Sequence, residues 1–135
     1  MDAADSLFPD LQAALVCEDV RQEVNGMQTL VGVLSALPVP QLPARFMKMC
    51  IWSRWTNGIG RFTQKSRIIA PDDESVLGEN TVQFELREMD AHATNVHFFA
   101  GMTFHAAGTH TVEILLDDEL QTRFAIAVFI AQRQV

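Results

Sequence analysis

Basic charge is scarce in this chain, which has ten Lys and Arg residues against 17 Asp and Glu residues in a length of 135. The net charge of −7 argues against duplex nucleic acid and anionic membranes as partners, because both attract basic surfaces. The apolar runs are short and broken by charged or amide residues, so no transmembrane segment is predicted. The N-terminus has neither the basic start nor the apolar stretch of a signal peptide, and we therefore expect a cytoplasmic protein.

The sequence also lacks the common motifs of catalytic and cofactor sites. It has no G-x-S-x-G turn, and no glycine-rich loop of the kind that holds a phosphate or a dinucleotide. Residues 57–60 (NGIG) are interpreted as a turn between strands, because no helix start follows them. We accordingly predict no catalytic residue, no cofactor and no metal ion.

Cysteine is rare: Cys17 and Cys50 are the two thiols of the chain, and each lies within an apolar stretch. In a reducing compartment they are expected to be small, buried hydrophobic residues. A disulfide between them stays open as an alternative, because it depends on a short separation that the sequence does not give.

What the sequence does contain is the alternation of apolar and polar residues that is typical of β-strands. Three such runs between residues 95 and 130 are separated by two tight turns, and they predict a three-stranded antiparallel meander. Residues 81–88 form another alternating run. The side chains predicted to face inward are Val82, Phe84 and Leu86 in that run, and Val96, Phe98, Ala100, Met102, Phe104, Val112, Ile114, Leu116, Leu120, Phe124, Ile126, Val128 and Ile130 in the meander.

Two further hairpins are predicted in the N-terminal half. Asn25 and Gly26 tolerate the positive φ angles of a type I′ turn, which would join strands over residues 11–20 and 27–34. Residues 57–60 would join strands on either side of them in the same way. The prolines at positions 38, 40 and 43 predict an extended crossing between two sheets.

Eight short strands, regular turn signals and no convincing helix predict an all-β protein. We expect an antiparallel β-sandwich, immunoglobulin-like or C2-like, that forms a single domain over residues 11–135. Residues 1–10 are predicted to be a flexible N-terminal tail. The proline-rich crossing favours a sandwich over an up-and-down barrel, because it suits a change of sheet.

Histidines and acidic turns are the candidates for chemistry. His105 and His110 flank a predicted turn, and acidic triplets occur at residues 72–74 and at Asp117, Asp118 and Glu119. One alternative function is therefore a small metal-dependent hydrolase or lyase that uses His105, His110 and the Asp117–Glu119 turn. However, zinc requires three or four ligands in a defined geometry. The simpler interpretation is that the imidazoles are solvated and that the acidic residues occupy turns that favour them.

Apolar residues on the outward side of the meander are the best sign of a partner. Phe99, Leu115 and Phe129 are predicted to face outward, and such a set can mark an interface. The last strand has no charge from residue 125 to 131, so a bare edge there would invite aggregation. We therefore predict a homodimer that buries Phe99, Leu115 or Phe129. The alternative is that the N-terminal segment covers the same surface in a monomer.

Three stretches of the chain resemble a known family: ALVCEDVRQEVNGMQTLVGV, IWSRWTNGIGRFTQKSRIIAPD and GTHTVEILLDDELQTRFAIAVF. The chain is similar, from residue 14 to 129, to small bacterial proteins known only as a domain of unknown function. The resemblance implies a β-sandwich in a bacterial cytoplasm and carries over no catalytic residue. The function predicted is a non-enzymatic binding or assembly module, with itself or another protein as its partner.

Overall fold

A computed structural model describes residues 6–131, which form nine β-strands in two sheets and contain no helix. Within these residues, therefore, no helix has the length and apolarity needed to cross a membrane. The strands are β1 (Asp10–Gln22), β2 (Gln28–Leu34), β3 (Ala36–Val39), β4 (Ala44–Thr56), β5 (Gly60–Ile69), β6 (Val76–Leu86), β7 (His92–Phe104), β8 (Gly108–Leu116) and β9 (Glu119–Ile130).

The two sheets enclose one hydrophobic core. The four-stranded sheet has the order β2-β1-β4-β7, and the five-stranded sheet has the order β3-β9-β8-β5-β6. Both sheets contribute fully buried side chains to the same cluster, including Ile51 and Trp55 from one sheet and Ile68, Ile114 and Ile126 from the other. The predicted all-β sandwich is confirmed.

The predicted meander is wrong. Of its three strands, β8 and β9 pair as a hairpin, whereas β7 lies in the four-stranded sheet beside β4. Residues 57–60 likewise do not close a hairpin, since β4 and β5 lie in different sheets. Alternation identifies the two faces of a strand, but it does not identify the neighbouring strand. The turn between β7 and β8 and the turn at residues 57–60 therefore each cross from one sheet to the other. We predicted such a crossing for the proline-rich segment alone.

The predicted inward face of β7 is correct only beyond Gly101. Met102 and Phe104 are buried as expected, whereas Phe98 is exposed and its neighbours His97 and Phe99 face the core. Gly101 has a φ of 65°, a left-handed conformation that glycine adopts without steric cost. The alternation of the strand reverses there, so all positions before it were assigned to the wrong side.

The hairpin between β1 and β2 is confirmed, but its turn is not type I′. The amide of Gly26 donates to the carbonyl of Glu23 at 2.9 Å, and Gly26 has a φ of 89°. Asn25 does not have a positive φ; its side-chain oxygen accepts from the amide of Met27 at 3.0 Å. The loop is thus one residue longer than predicted, and Gly26, its residue with a left-handed backbone conformation, follows the turn.

The proline-rich segment crosses between the sheets as predicted and adds a ninth strand. β2 and β3 are separated only by Ser35 and belong to different sheets. β3 pairs in parallel with β9, from Ala36 opposite Ala127 to Val39 opposite Ile130. The uncharged end of β9 is therefore covered within the chain, although by β3 and not by the N-terminal segment.

The predicted N-terminal tail is partly attached to the sandwich. Leu7 forms an isolated bridge with Ile59, and the Phe8 and Phe62 rings lie 5.7 Å apart. Asp10 already begins β1. Residues 1–5 of the predicted tail lie outside the described residues.

Candidate functional site

Two of the three predicted interface residues are buried. Phe99 is 7% exposed and belongs to the core cluster, because the reversal at Gly101 turns it inward. Leu115 is 9% exposed, next to an irregularity in the β8–β9 register and opposite Lys65 of β5. Phe129 is 44% exposed on the outer side of β9. The set therefore does not form one accessible surface.

The residues of the hydrolase alternative lie at opposite ends of β8. His110 is near its start, while Asp117 follows its last residue. Seven residues of antiparallel strand span roughly 24 Å, so these side chains are too far apart to share a metal or a substrate. Asp117 instead accepts a hydrogen bond from the backbone amide of Thr63 at 2.8 Å. The sequence-based grouping of these residues was wrong.

The histidines lie beside the other acidic turn. His105 and His110 line a cavity of about 250 Å³ with Asp72 and Ser75. The Asp72 carboxylate accepts hydrogen bonds from the Ser75 hydroxyl and from the amides of Ser75 and Glu74, which lowers its pKa to about 2. This carboxylate thus stabilises its own turn.

The two histidines are unlike each other. His110 is buried against the Phe104 ring, with 5.0 Å between ring centroids, and burial lowers its pKa. His105 is exposed. No group of three or more His, Cys, Asp or Glu side chains between residues 6 and 131 is arranged to hold a metal ion. The cavity therefore offers no set of metal ligands among the described residues.

The outer side of the four-stranded sheet carries an apolar surface that sequence reasoning missed. Val33, Cys17, Cys50 and Phe98 stand directly opposite one another on β2, β1, β4 and β7. Directly opposed residues of antiparallel strands lie on the same face. A parallel row consists of Leu15, Trp52 and Val96. We call these seven residues the outer apolar face.

Cys17 and Cys50 form the centre of this face. Both are free thiols without solvent exposure. Their Cα atoms belong to directly opposed residues, which are about 4.5–5.5 Å apart in antiparallel strands and so within the range that a disulfide spans. Burial raises the pKa of both thiols, that of Cys50 to about 11. At neutral pH the pair is therefore protonated and weakly nucleophilic.

An ion pair borders the outer apolar face. The Lys48 ammonium lies 2.6 Å from the Asp19 carboxylate and 4.9 Å from the centroid of the Phe98 ring. The hydrogen bond between them lowers the pKa of Asp19 and raises that of Lys48. Since both groups are largely solvated, the pair contributes little stability. It gives the apolar face a polar border instead.

The β1–β2 hairpin bends back over this side of the sheet. Trp52, which lies opposite Leu15, donates from its indole nitrogen to the side-chain oxygen of Gln28 at 2.8 Å. Gln28 pairs with Gln22, which lies seven residues, or about 24 Å of straight strand, from Leu15. A straight hairpin would not reach the indole, so the hairpin must curve.

A cleft of about 520 Å³ lies between the hairpin tip and the sheet. We call it the hairpin cleft; it is lined by Gln22, Gly26, Met27, Gln28, Trp52, Arg54 and Thr94. The Nε atom of Arg54 is buried without a hydrogen-bond partner among the described residues. The cleft therefore combines an aromatic ring, amide groups and a guanidinium whose hydrogen-bonding capacity is not fully used.

A buried polar network joins the two sheets beneath this face. The side-chain oxygen of Gln64, on β5, accepts from Ser53, Trp55 and Asn95 at 3.0, 2.7 and 2.7 Å. Its amide nitrogen donates to the Ser66 hydroxyl at 2.9 Å. Gln64 is fully buried, so this network has no access to a substrate and acts within the core.

A protein-family model, described as a family of unknown function (DUF6941), matches residues 12–129. The chain belongs to the DUF6941 family. The resemblance noted in the sequence is thus confirmed. Among curated proteins, no match was found.

The DUF6941 match includes every residue of the outer apolar face, of the hairpin cleft and of the Gln64 network. Leu7 and Phe8 lie before the matched region. The outer apolar face and the hairpin cleft therefore lie within the region that the family model matches.

Proposed function

We propose that this DUF6941 protein is a non-enzymatic binding or assembly module of the bacterial cytoplasm, and that it forms a homodimer through its outer apolar face. The observation that carries the proposal is the exposure of this face in the single chain. Val33 is 55% exposed, Phe98 49% and Leu15 38%, and they surround the two buried thiols. Large apolar side chains that cluster on a strand surface are typical of a partner site.

The arrangement suits a protein interface. Interface centres are depleted of charge and enriched in aromatic residues, while their borders are polar. Phe98 and Trp52 supply the aromatic anchors here, and the ion pair of Lys48 and Asp19 supplies the border. A row across all four strands also offers a continuous surface that a second copy can match by two-fold symmetry.

The outer side of the five-stranded sheet has a different chemistry. Glu113 lies there between Arg67 and Arg123, at 2.7 and 3.7 Å. The acidic turns at residues 72–74 and 117–119 also connect strands of that sheet. Two copies that each carry a net charge of −7 repel least where the acidic side chains are fewest. This favours the four-stranded sheet as the self-association surface.

A pair of matched substitutions tests the proposal. Phe98→Glu places a carboxylate in the outer apolar face, and Phe129→Glu does the same on the opposite sheet at a similar exposure. We expect wild type and Phe129→Glu to elute as dimers in size exclusion with light scattering, and Phe98→Glu to elute as a monomer. Circular dichroism should give the same β-rich spectrum for all three.

Wild type and Phe129→Glu are the controls, and they distinguish the results that would contradict the proposal. A monomeric wild type at micromolar concentration would refute the dimer, and a dimer lost only in Phe129→Glu would move the interface to β9. A Phe98→Glu protein that stays dimeric would exclude the outer apolar face.

A further inference from the structure

We propose that the hairpin cleft binds a small organic carboxylate with a flat apolar body, which Arg54 holds by its carboxylate and Trp52 contacts by its ring. The proposal does not rest on the dimer, although the cleft lies on the same side of the sheet and shares Trp52 with the outer apolar face. Its volume of about 520 Å³ is within the usual range for small-molecule sites, about 300–1,000 Å³.

The cleft is held open by hydrogen bonds of its own walls. The indole of Trp52 donates to Gln28 at 2.8 Å, and the side chain of Gln22 donates to the carbonyl of Gly26 at 2.6 Å. The first bond fixes the hairpin over the outer surface of β4, and the second fixes the shape of the hairpin tip. The cleft is therefore formed before a ligand arrives, which reduces the entropy that binding must offset.

Arg54 is the group that selects the ligand. It has no salt bridge with any described residue, although acidic side chains are numerous in this chain. None of the residues that line the cleft is acidic. A guanidinium forms paired hydrogen bonds with a planar oxyanion, and these are among the strongest that proteins make. The Nε atom of Arg54 is buried and has no hydrogen-bond partner among the described residues, so the guanidinium keeps donor capacity for such an oxyanion.

The charge of the site favours a carboxylate over a phosphate. Arg54 is the only Lys or Arg among the lining residues, and the described chain has no helix whose N-terminus could add further donors. A phosphate monoester carries about −1.5 to −2 charges at neutral pH, more than one guanidinium balances. The indole of Trp52 and the side chain of Met27 supply apolar contact for a flat body.

Tryptophan fluorescence provides the test, because Trp55 is fully buried and Trp52 lines the cleft. The probes are phenylacetate, its neutral analogue phenylacetamide, and inorganic phosphate. We expect phenylacetate to change the Trp52 emission in a saturable way and to bind about tenfold or more tightly than phenylacetamide, as expected for a charged hydrogen bond. Phosphate should bind more weakly than phenylacetate.

Substitutions at Arg54 and a matched arginine complete the test. Arg54→Gln should remove the preference for phenylacetate, and Arg54→Lys should retain only part of it. Arg45→Gln is the control, since Arg45 also lies on β4 without a salt bridge to a described residue; it should bind as wild type does. Trp52→Phe should abolish the signal, and calorimetry should then still detect the ligand.

Several results would overturn the proposal. One is the absence of saturable phenylacetate binding up to about 10 mM, and another is equal affinity for phenylacetate and phenylacetamide. The others are tighter binding of phosphate than of phenylacetate, and an equal loss of phenylacetate affinity in Arg54→Gln and Arg45→Gln. Measuring Phe98→Glu in parallel separates this site from the dimer. Ligand binding should persist in that variant whether or not it is monomeric.

Discussion

Replacing Gln64 by Leu should destabilise the protein through the polar network that joins the two sheets. The substitution keeps most of the side-chain volume but removes every hydrogen bond of the Gln64 side chain. The Trp55 indole nitrogen and the Ser66 hydroxyl then lose the partners that lie at 2.7 and 2.9 Å. Both residues are fully buried, so water does not replace the lost partners.

The magnitude follows from the number of polar groups left without partners. A buried polar group that loses its partner costs about 1–3 kcal/mol. Ser53 keeps a second acceptor, the carbonyl of Asn95 at 3.3 Å, and Asn95 is only partly buried. Two groups therefore carry most of the loss, and we expect Gln64→Leu to lower the free energy of unfolding by about 2–6 kcal/mol.

A double-mutant cycle with Trp55→Phe identifies the cause. Phe has no N–H group, so in the double mutant the indole donor is no longer left unpaired. The combined loss should be smaller than the sum of the single losses by about 1–2 kcal/mol. Urea denaturation followed by circular dichroism at one fixed protein concentration measures all four proteins. A loss below about 1 kcal/mol in Gln64→Leu, or losses that add to within about 0.5 kcal/mol, would refute the reasoning.

Two further predictions concern buried titratable groups. Neither ring nitrogen of His97 has a hydrogen-bond partner in the described structure, and burial lowers the pKa of His97. In the unfolded state its pKa is about 6.5, so the unfolded protein binds a proton at a higher pH than the folded protein does. The free energy of unfolding should therefore fall as the pH drops below about 6.5. His97→Met should make this pH dependence shallower, and an unchanged profile in denaturant titrations from pH 7.5 to 5 would contradict the prediction. Cys17 and Cys50 should react with an aromatic disulfide reagent within minutes in denaturant but not in the native protein, since both are buried and the pKa of Cys50 is about 11. Fast reaction of either thiol in the native state would show that the outer apolar face opens.

The candidate sites were predicted poorly from the sequence for an identifiable reason. His105 and His110 were grouped with the acidic turn that is nearer to His110 in sequence, but the sheet order brings them to Asp72. Phe99 was predicted to face outward because the alternation of β7 was extended through Gly101. Leu115 does lie outside the core cluster, opposite Lys65 and Leu120, and it is nevertheless buried. The alternation of β7 was thus correct over part of the strand and failed at Gly101, a break that apolar and polar side-chain types alone do not reveal.

The sequence by itself determined where most strands lie and how some of them are joined. Alternation in β6 and β8, the turn residues at Asn25 and Gly26, and the proline-rich crossing all act over a few neighbouring residues. These features are confirmed because steric and hydrophobic preferences operate locally. The all-β sandwich follows from them.

Only the tertiary structure decided which strands are neighbours. β4 lies between β1 and β7, strands that are distant from it in sequence, and this pairing brings Cys17 beside Cys50 and Phe98. The bend that places Gln28 against Trp52, and the contacts that surround Gln64, arise in the same way. Sheet pairing depends on the burial and hydrogen bonding of the whole chain, which no single stretch of sequence specifies.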